Sequence, residues 1–244
     1  MPVYRTNPNA ESYGQSVGIL LLDAHMPFPP GDVANASTYR YPVVYRRVSG
    51  LAVDACLDGA PEFAEAVAEG VRELARQGVR GISSDCGVML QYQQAAADAV
   101  DVPVALSSLL QLPLVERSLA PDRPVGVLTA DSSNLSVDFL ARAGIRPRNP
   151  IVIRGMQDEP EFRTSILDPK GTMDTDLITE ETVAKAREMK DEYPALGAIL
   201  LECSRMPPYA AAVQQAVGVP VFDFVSLIDF MQAGTDPRRY HGFM

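Results

Sequence analysis

Two stretches of this 244-residue chain repeat one another at a fixed separation, and each carries a cysteine at the same place. Gly81-Ile-Ser-Ser-Asp-Cys86-Gly-Val-Met89-Leu-Gln-Tyr92 runs through an alanine-rich stretch to Val102-Pro-Val104. Ala198-Ile-Leu-Leu-Glu-Cys203-Ser-Arg-Met206-Pro-Pro-Tyr209 runs to Val219-Pro-Val221. The offset is 117 residues, and Met89/Met206, Tyr92/Tyr209, Ala95/Ala212, Val100/Val217 and Pro103/Pro220 keep it without a gap. Duplicated βα units pack about a pseudo-twofold axis, so equivalent strand ends can face one another across a crevice. The repeat therefore predicts two thiols that look at one small molecule from opposite sides.

The duplication extends upstream. Val17-Gly-Ile-Leu-Leu-Leu22 is a continuous apolar run, as expected of a strand buried on both faces of a parallel sheet. Val125-Gly-Val-Leu128 repeats it, and Asp131 follows as Asp23 does, at an offset of 108 residues. The two halves cover residues 15–118 and 122–230. In the first, Phe63, Val67, Val71 and Leu74 recur at helical spacing between Pro61, at the first helical position, and Gly78, just past the end. The counterpart helix is expected to start near Thr179, a cap whose following Glu180 and Glu181 suit the positive end of a helix dipole. Both helices lead into the cysteine strands, Val79–Ser84 and Ala198–Leu201. Alternating strands and helices imply βαβ crossovers and parallel sheets. The expected fold is α/β, with two pseudo-symmetric lobes, each a mainly parallel sheet flanked by helices, and an active site in the crevice between them. Residues 1–118 would form the lobe of Cys86, 119–230 that of Cys203, and 231–244 a tail packing back on the first lobe.

Two connections stand out. The Pro- and Gly-rich segment Met26–Tyr39 follows the carboxyl end of the first strand, where open α/β sheets bind ligands. It reads as a substrate-shaping loop or as a rigid surface connection. Asp158–Thr175 reads as the second half's irregular connection.

A hydrophobic content of 47% supports proper cores in both halves. The net charge of −10, with basic residues scattered and clustered no further than the pairs Arg46-Arg47 and Arg238-Arg239, argues against a nucleic-acid partner. No run approaches the roughly 18 apolar residues of a membrane span. The opening Met-Pro-Val-Tyr-Arg-Thr-Asn-Pro lacks the charged and apolar parts of a signal peptide, so a cytoplasmic location is expected. Three cysteines, none in a CxxC pair, do not make a disulfide framework, and with only His25 and His241 available no metal site is expected.

Cys86 and Cys203 each sit where an apolar strand gives way to a helix-forming stretch. Backbone N–H groups there would favour a thiolate and lower the thiol pKa. Inverting a stereocentre beside a carboxylate needs one such group to take a proton from one face and its partner to return one to the other. The carbanion needs donors fixed where charge develops, and the amides of Gly87, Val88, Ser204 and Arg205 are nearest in sequence. One cysteine alone is more often a small buried residue than a catalyst; two at equivalent ends of duplicated strands favour catalysis. Cys56 has no counterpart and reads as structural. Asp85 and Glu202 match and read as caps or as modulators of the thiols, while the paired Met and Tyr residues read as packing. Thr129, Ser132 and Ser133 follow the equivalent strand in the second half and could hold a carboxylate or cap a helix. Asp32 and Asn35 in the proline-rich loop are further substrate-binding candidates, and Ser107-Ser108 reads as capping.

The Gly-Ile-Leu strand, Asp85-Cys86-Gly87, Gly126-Val-Leu-Thr129, and Glu202-Cys203-Ser204 before a Val-Pro-Val strand resemble the aspartate/glutamate racemase superfamily, which includes hydantoin racemases, maleate isomerases and arylmalonate decarboxylases. The resemblance spans most of the chain. It implies two pseudo-symmetric lobes, cofactor-independent proton transfer without pyridoxal phosphate or metal, and an acid/base couple at Cys86 and Cys203. Both thiols being present favours racemisation over decarboxylation. Amino-acid racemases of this kind follow the first cysteine with Asn-Thr and the second with Thr-His; Gly87-Val88 and Ser204-Arg205 stand here instead. The expected activity is a two-cysteine racemase or epimerase acting on an acidic amino acid or related small carboxylate. A hydantoin racemase, a maleate-type isomerase with a covalent cysteine adduct, and a non-catalytic sensor of a small acid are the alternatives. A homo-oligomer is compatible with the resemblance.

Overall fold

The apolar runs become the centres of two sheets. In the computed structural model, which describes residues 3–8, 10 and 12–244, the first sheet contains β1 (Val17–Leu21), β2 (Val43–Arg47), β3 (Gly81–Ser84) and β4 (Val104–Ala105), all parallel, in the order β2-β1-β3-β4. The second contains β5 (Val125–Thr129), β6 (Ile151–Gly155), β7 (Ala198–Leu201) and β8 (Val221–Phe222), again all parallel, in the order β6-β5-β7-β8. Registers correspond too: Val17 lies opposite Val43 and Gly81, as Val125 lies opposite Ile151 and Ala198. Met1 and Pro2, part of the N-terminal stretch read for a signal peptide, lie outside the described residues.

Helices α1 (Val53–Asp58), α2 (Pro61–Arg76), α3 (Gln93–Asp98) and α4 (Leu112–Arg117) accompany the first sheet in sequence. They are followed by α5 (Val137–Arg142), α6 (Pro160–Phe162), α7 (Thr175–Glu192), α8 (Ala210–Val217) and α9 (Phe224–Thr235). Helix α2 buries Val67, Val71 and Leu74, with Pro61 at its first turn, as its spacing predicts. Helix α7 begins four residues before the expected Thr179. The Asp174 carboxylate accepts from the amides of both Asp176 and Leu177, a stronger cap than a threonine hydroxyl supplies. Thr179 then falls inside the helix, its hydroxyl donating to the Thr175 carbonyl at 2.7 Å. The Asp158–Thr175 connection is more ordered than expected: α6 passes into a π-helical turn at Arg163–Leu167.

The last helix of each half crosses to the other. Phe224, Ile228 and Met231 of α9 form one apolar cluster with Val17 and Ile19 of the first sheet. Leu112 and Val115 of α4 share a cluster with Val125 and Val127 of the second, and the Glu116 carboxylate at the end of α4 accepts from the amides of Arg148 and Asn149. Residues 237–244 beyond α9 are exposed and carry no regular secondary structure. Among the described residues, no helix is long and apolar enough to cross a membrane.

Candidate active site

The carboxyl ends of β1, β3, β5 and β7 meet across the crevice, and both half-buried thiols line one cavity of about 100 Å³ there. Gly87 and Val88 line it from the first lobe; Thr129, Glu202, Ser204 and Arg205 line it from the second. Its remaining wall is largely apolar, built from Leu22 and Met26 after β1, Val53 and Leu57 of α1, and Ile166 and Leu167 of the π-turn. A cavity of this size admits a metabolite of few heavy atoms rather than a drug-sized ligand.

A short chain of polar contacts ties the two cysteine turns together. The Ser204 hydroxyl donates to the Asp85 carbonyl. The Ser108 hydroxyl donates to the carbonyls of Leu201 and Glu202, both at 3.2 Å, so this serine bridges the lobes while Ser107 caps its own turn. Arg205, 5% exposed, is held by two buried carboxylates, Asp32 at 2.5 Å and Asp85 at 2.5 Å, and its guanidinium stacks 4.4 Å from the centre of the Phe28 ring. Burial works against its charge, but the two carboxylates more than offset this and hold its pKa above the ordinary value. The other Asp85 oxygen accepts from the Leu22 amide at 2.8 Å. The proline-rich loop of the first lobe is thereby fastened over the cysteine turn of the second. Gly31 permits the approach: with φ +98°, it lies where a Cβ would come within 2.9 Å of the Pro208 Cα.

Gly87 faces Glu202 across the lobe boundary. A Cβ on Gly87 would fall 1.7 Å from Glu202 Oε1 and 2.8 Å from the Glu202 carbonyl oxygen, so glycine is the residue this contact allows. The other Glu202 oxygen accepts from the Thr129 hydroxyl at 2.8 Å. Burial pushes the Glu202 carboxyl up to about 7, against the opposite effect of that hydrogen bond.

Both thiols are also pushed up, Cys86 well above its ordinary value and Cys203 to about 12. Burial is the main cause for each. The Cys56 thiol and the acidic side chains of Glu202 and Asp85 add to it at Cys86, and Glu202 adds to it at Cys203. This corrects the expectation of lowered thiol pKa values. The amides of Val88 and Arg205 do favour the two thiolates, but Cys86 precedes a 3-10 turn rather than a long helix, and one amide does not offset desolvation. Cys56 is fully buried. Met89, Met206, Tyr92 and Tyr209 are buried as packing residues.

Gly87, Val88, Thr129, Ser204 and Arg205 therefore come together in the crevice, but the Ser204 and Arg205 side chains are already engaged there. Four residues read as substrate contacts do not line the cavity. Asp32 is fully buried against Arg205, with Ala34 donating to it at 2.7 Å, and burial raises its carboxyl to about 6. Asn35 donates to the Phe28 carbonyl at 2.8 Å and accepts from the Ser37 amide at 2.9 Å. Ser132 accepts from Gln157 at 3.3 Å, and Ser133 donates to Asp131 at 2.7 Å. Asp32, Asn35 and Ser133 engage their own turns, a competition inherent in Ser, Asn and Asp, while Ser132 is held by the connection after β6. Asp131 and Asn134 line the cavity in their place. Asp131 was marked only by its position after the repeated strand; Val53, Leu57, Ile166 and Leu167 carried no local signal. Among the described residues, no group of three or more His, Cys, Asp or Glu side chains is placed to hold a metal ion.

Two parallel-sheet lobes with repeated topology, closing on one crevice that presents a thiol from each, define a pseudo-symmetric α/β protein with a small-molecule site at its strand ends. A family model described as Asp/Glu/Hydantoin racemase matches residues 36–228, and the chain belongs to that family. Similar proteins include a dimethylsulfoniopropionate lyase of Durusdinium sp. clade D, 32% identical over 226 residues, covering 90% of this chain and 74% of that protein. Dimethylsulfoniopropionate lyase 7 of Emiliania huxleyi (strain CCMP1516) is 33% identical over 237 residues, covering 92% and 69%. Among solved structures, allantoin racemase from Klebsiella pneumoniae has a TM-score of 0.59 at 19% identity, covering 90% of this chain and 87% of that one. Unliganded arylmalonate decarboxylase has a TM-score of 0.58 at 18% identity, covering 93% and 97%. The structural likenesses establish the fold; the named relatives and neighbours are enzymes of more than one reaction class.

Proposed function

We propose that this protein is a lyase that takes a proton from the carbon beside a carboxylate of a small β-sulfonio acid, of which dimethylsulfoniopropionate is the type, and expels the thioether. Cys86 or Cys203, as thiolate, accepts the α-proton; the C–H pair becomes the α,β double bond; the β-carbon–sulfur bond breaks with its pair leaving on sulfur. The products are an acrylate and a neutral thioether, and the protonated thiol returns its proton to solvent. Proton removal is the step that racemases share with this elimination. The outcome depends on whether the β-carbon carries a leaving group.

The charge of the crevice is the observation that carries this reading. Among its described lining residues Arg205 is the one with a basic side chain, and it is consumed by Asp32 and Asp85, so no unpaired basic side chain is left for a second carboxylate. Such a site is poorly matched to an acidic amino acid, which would bring a second carboxylate. A zwitterion carrying its own cation fits better. A sulfonium has no N–H to satisfy, so it can rest against Leu22, Met26, Leu57 and Leu167, whereas an ammonium there would lose hydrogen bonds. Its positive charge also favours ionisation of thiols that the protein alone keeps neutral. The similarity to dimethylsulfoniopropionate lyases along nine-tenths of the chain supports the same substrate class.

Two thiols in one cavity favour a second reading, inversion of the α-carbon of a neutral or zwitterionic substrate such as a hydantoin. Incubation with dimethylsulfoniopropionate, followed by headspace chromatography and proton NMR, separates the two. The lyase releases dimethyl sulfide and acrylate in equal amounts, and whichever of Cys86→Ser and Cys203→Ser removes the accepting thiol loses on the order of 100-fold or more in rate. No thioether, together with racemisation of a hydantoin or an amino acid, rejects it.

A further inference from the structure

Glu202 is a buried acid with no cation beside it. It is 3% exposed, accepts from the Thr129 hydroxyl, and lies against the Gly87 backbone; among the described residues no ion pair reaches it. The ionisable groups facing the crevice around it are Cys86 and Asp85 from the turn after β3, Asp131 after β5, and Cys203 and Arg205 on its own turn, with Asp32 behind Arg205. Arg205 is committed to Asp32 and Asp85. A carboxylate ligand entering this cavity thus meets Glu202 with no unpaired basic side chain to neutralise either charge, and two like charges in so small a cavity repel strongly.

We propose that Glu202 takes up a proton when a carboxylate ligand binds, and that its neutral acid form donates a hydrogen bond to that carboxylate. This rests on the reading of the crevice as a carboxylate site and names the group that makes such binding possible. In the reaction the acid stays protonated, and its O–H faces the oxygen on which charge grows as the α-proton leaves, the role a neutral carboxylic acid can play in a water-poor site. The raised Glu202 carboxyl, near 7, is consistent with a proton that is available at little cost. Neutralising Glu202 also removes a charge that opposes ionisation of both thiols.

The probe is propionate, which has the carboxylate but nothing to eliminate, bound to the whole protein and followed by calorimetry at about pH 8 in buffers of different ionisation enthalpy. The unmodified protein is expected to take up close to one proton per propionate bound, and its affinity should weaken about tenfold per pH unit above the Glu202 titration. Glu202→Gln keeps an acceptor for Thr129 and a donor for the ligand; it should bind propionate with no proton uptake and with an affinity that no longer varies with pH. Buffer-independent binding by the unmodified protein, or undiminished uptake in Glu202→Gln, overturns the proposal while leaving the carboxylate site standing. Absence of propionate binding at any pH overturns both.

Discussion

Gly87 and Glu202 meet at the boundary between the lobes, and the contact leaves no room for a side chain on Gly87 while the Glu202 carboxyl is in place. Gly87→Ala would drive a methyl group into the Glu202 carboxyl and backbone, with an expected cost of about 1–3 kcal/mol in urea denaturation and loss of turnover. Trimming Glu202 to Ala in the same chain should recover part of that stability, a coupling read by the double-mutant cycle. Glu202 and Asp32 also set a pH dependence. Burial raises both carboxyls, so the folded state keeps their protons to higher pH than the unfolded chain does. The stability they contribute is present below the ordinary carboxylate range and is lost as pH rises through about 6 for Asp32 and about 7 for Glu202. Glu202→Gln should flatten the decline, on the order of 3 kcal/mol, between acid and mildly alkaline denaturation curves. At this scale the two cysteines were legible, because a constant spacing of 117 residues marks equivalent positions without any knowledge of contacts. The engagement of Arg205 by Asp32 was not, since 173 residues separate a pair that only the closed loop brings together.

The central strands β1, β5 and β7 announce themselves as apolar runs, β3, with its two serines, by its repeat of β7, and α2 by its spacing. The edge strands β2 and β6 do not: Val43-Val-Tyr-Arg-Arg47 and Ile151-Val-Ile-Arg154 carry charge and are half-buried, so they look like ordinary connections. The loop over Met26–Tyr39 announced its position but not its fastening. It is a strap whose inner face is Phe28 and Asp32 and whose anchor is Arg205 on the opposite lobe. Arg205→Ala leaves two buried carboxylates without a counter-charge and should cost about 3–5 kcal/mol, measured by chemical denaturation. Adding Asp32→Asn and Asp85→Asn should restore part of the stability without restoring turnover, because the neutral pair no longer draws the loop onto the cysteine turn.

The lobes are joined by exchange as well as by contact, since α9 completes the core of the first sheet and α4 that of the second. A chain ending at Asp223 would strip Phe224, Ile228 and Met231 from Val17 and Ile19 and is expected not to fold. One ending at Asp236 loses only exposed residues and should melt within about 2 °C of the full chain. The exchange also keeps the crevice walls in fixed relation, so the full chain should unfold in a single calorimetric transition with equal calorimetric and van't Hoff enthalpies. Both thiols line that one crevice, and the central claim of the proposed function is that the α-carbon of the substrate loses its proton to one of them. It is tested most directly by competing α-dideuterated against ordinary dimethylsulfoniopropionate in the native protein and in Cys86→Ser and Cys203→Ser. The expected result is several-fold discrimination against deuterium with thioether release, and near-complete loss of release in whichever variant lacks the accepting thiol. Equal consumption of the two isotopologues, with both serine variants still releasing thioether, would contradict it.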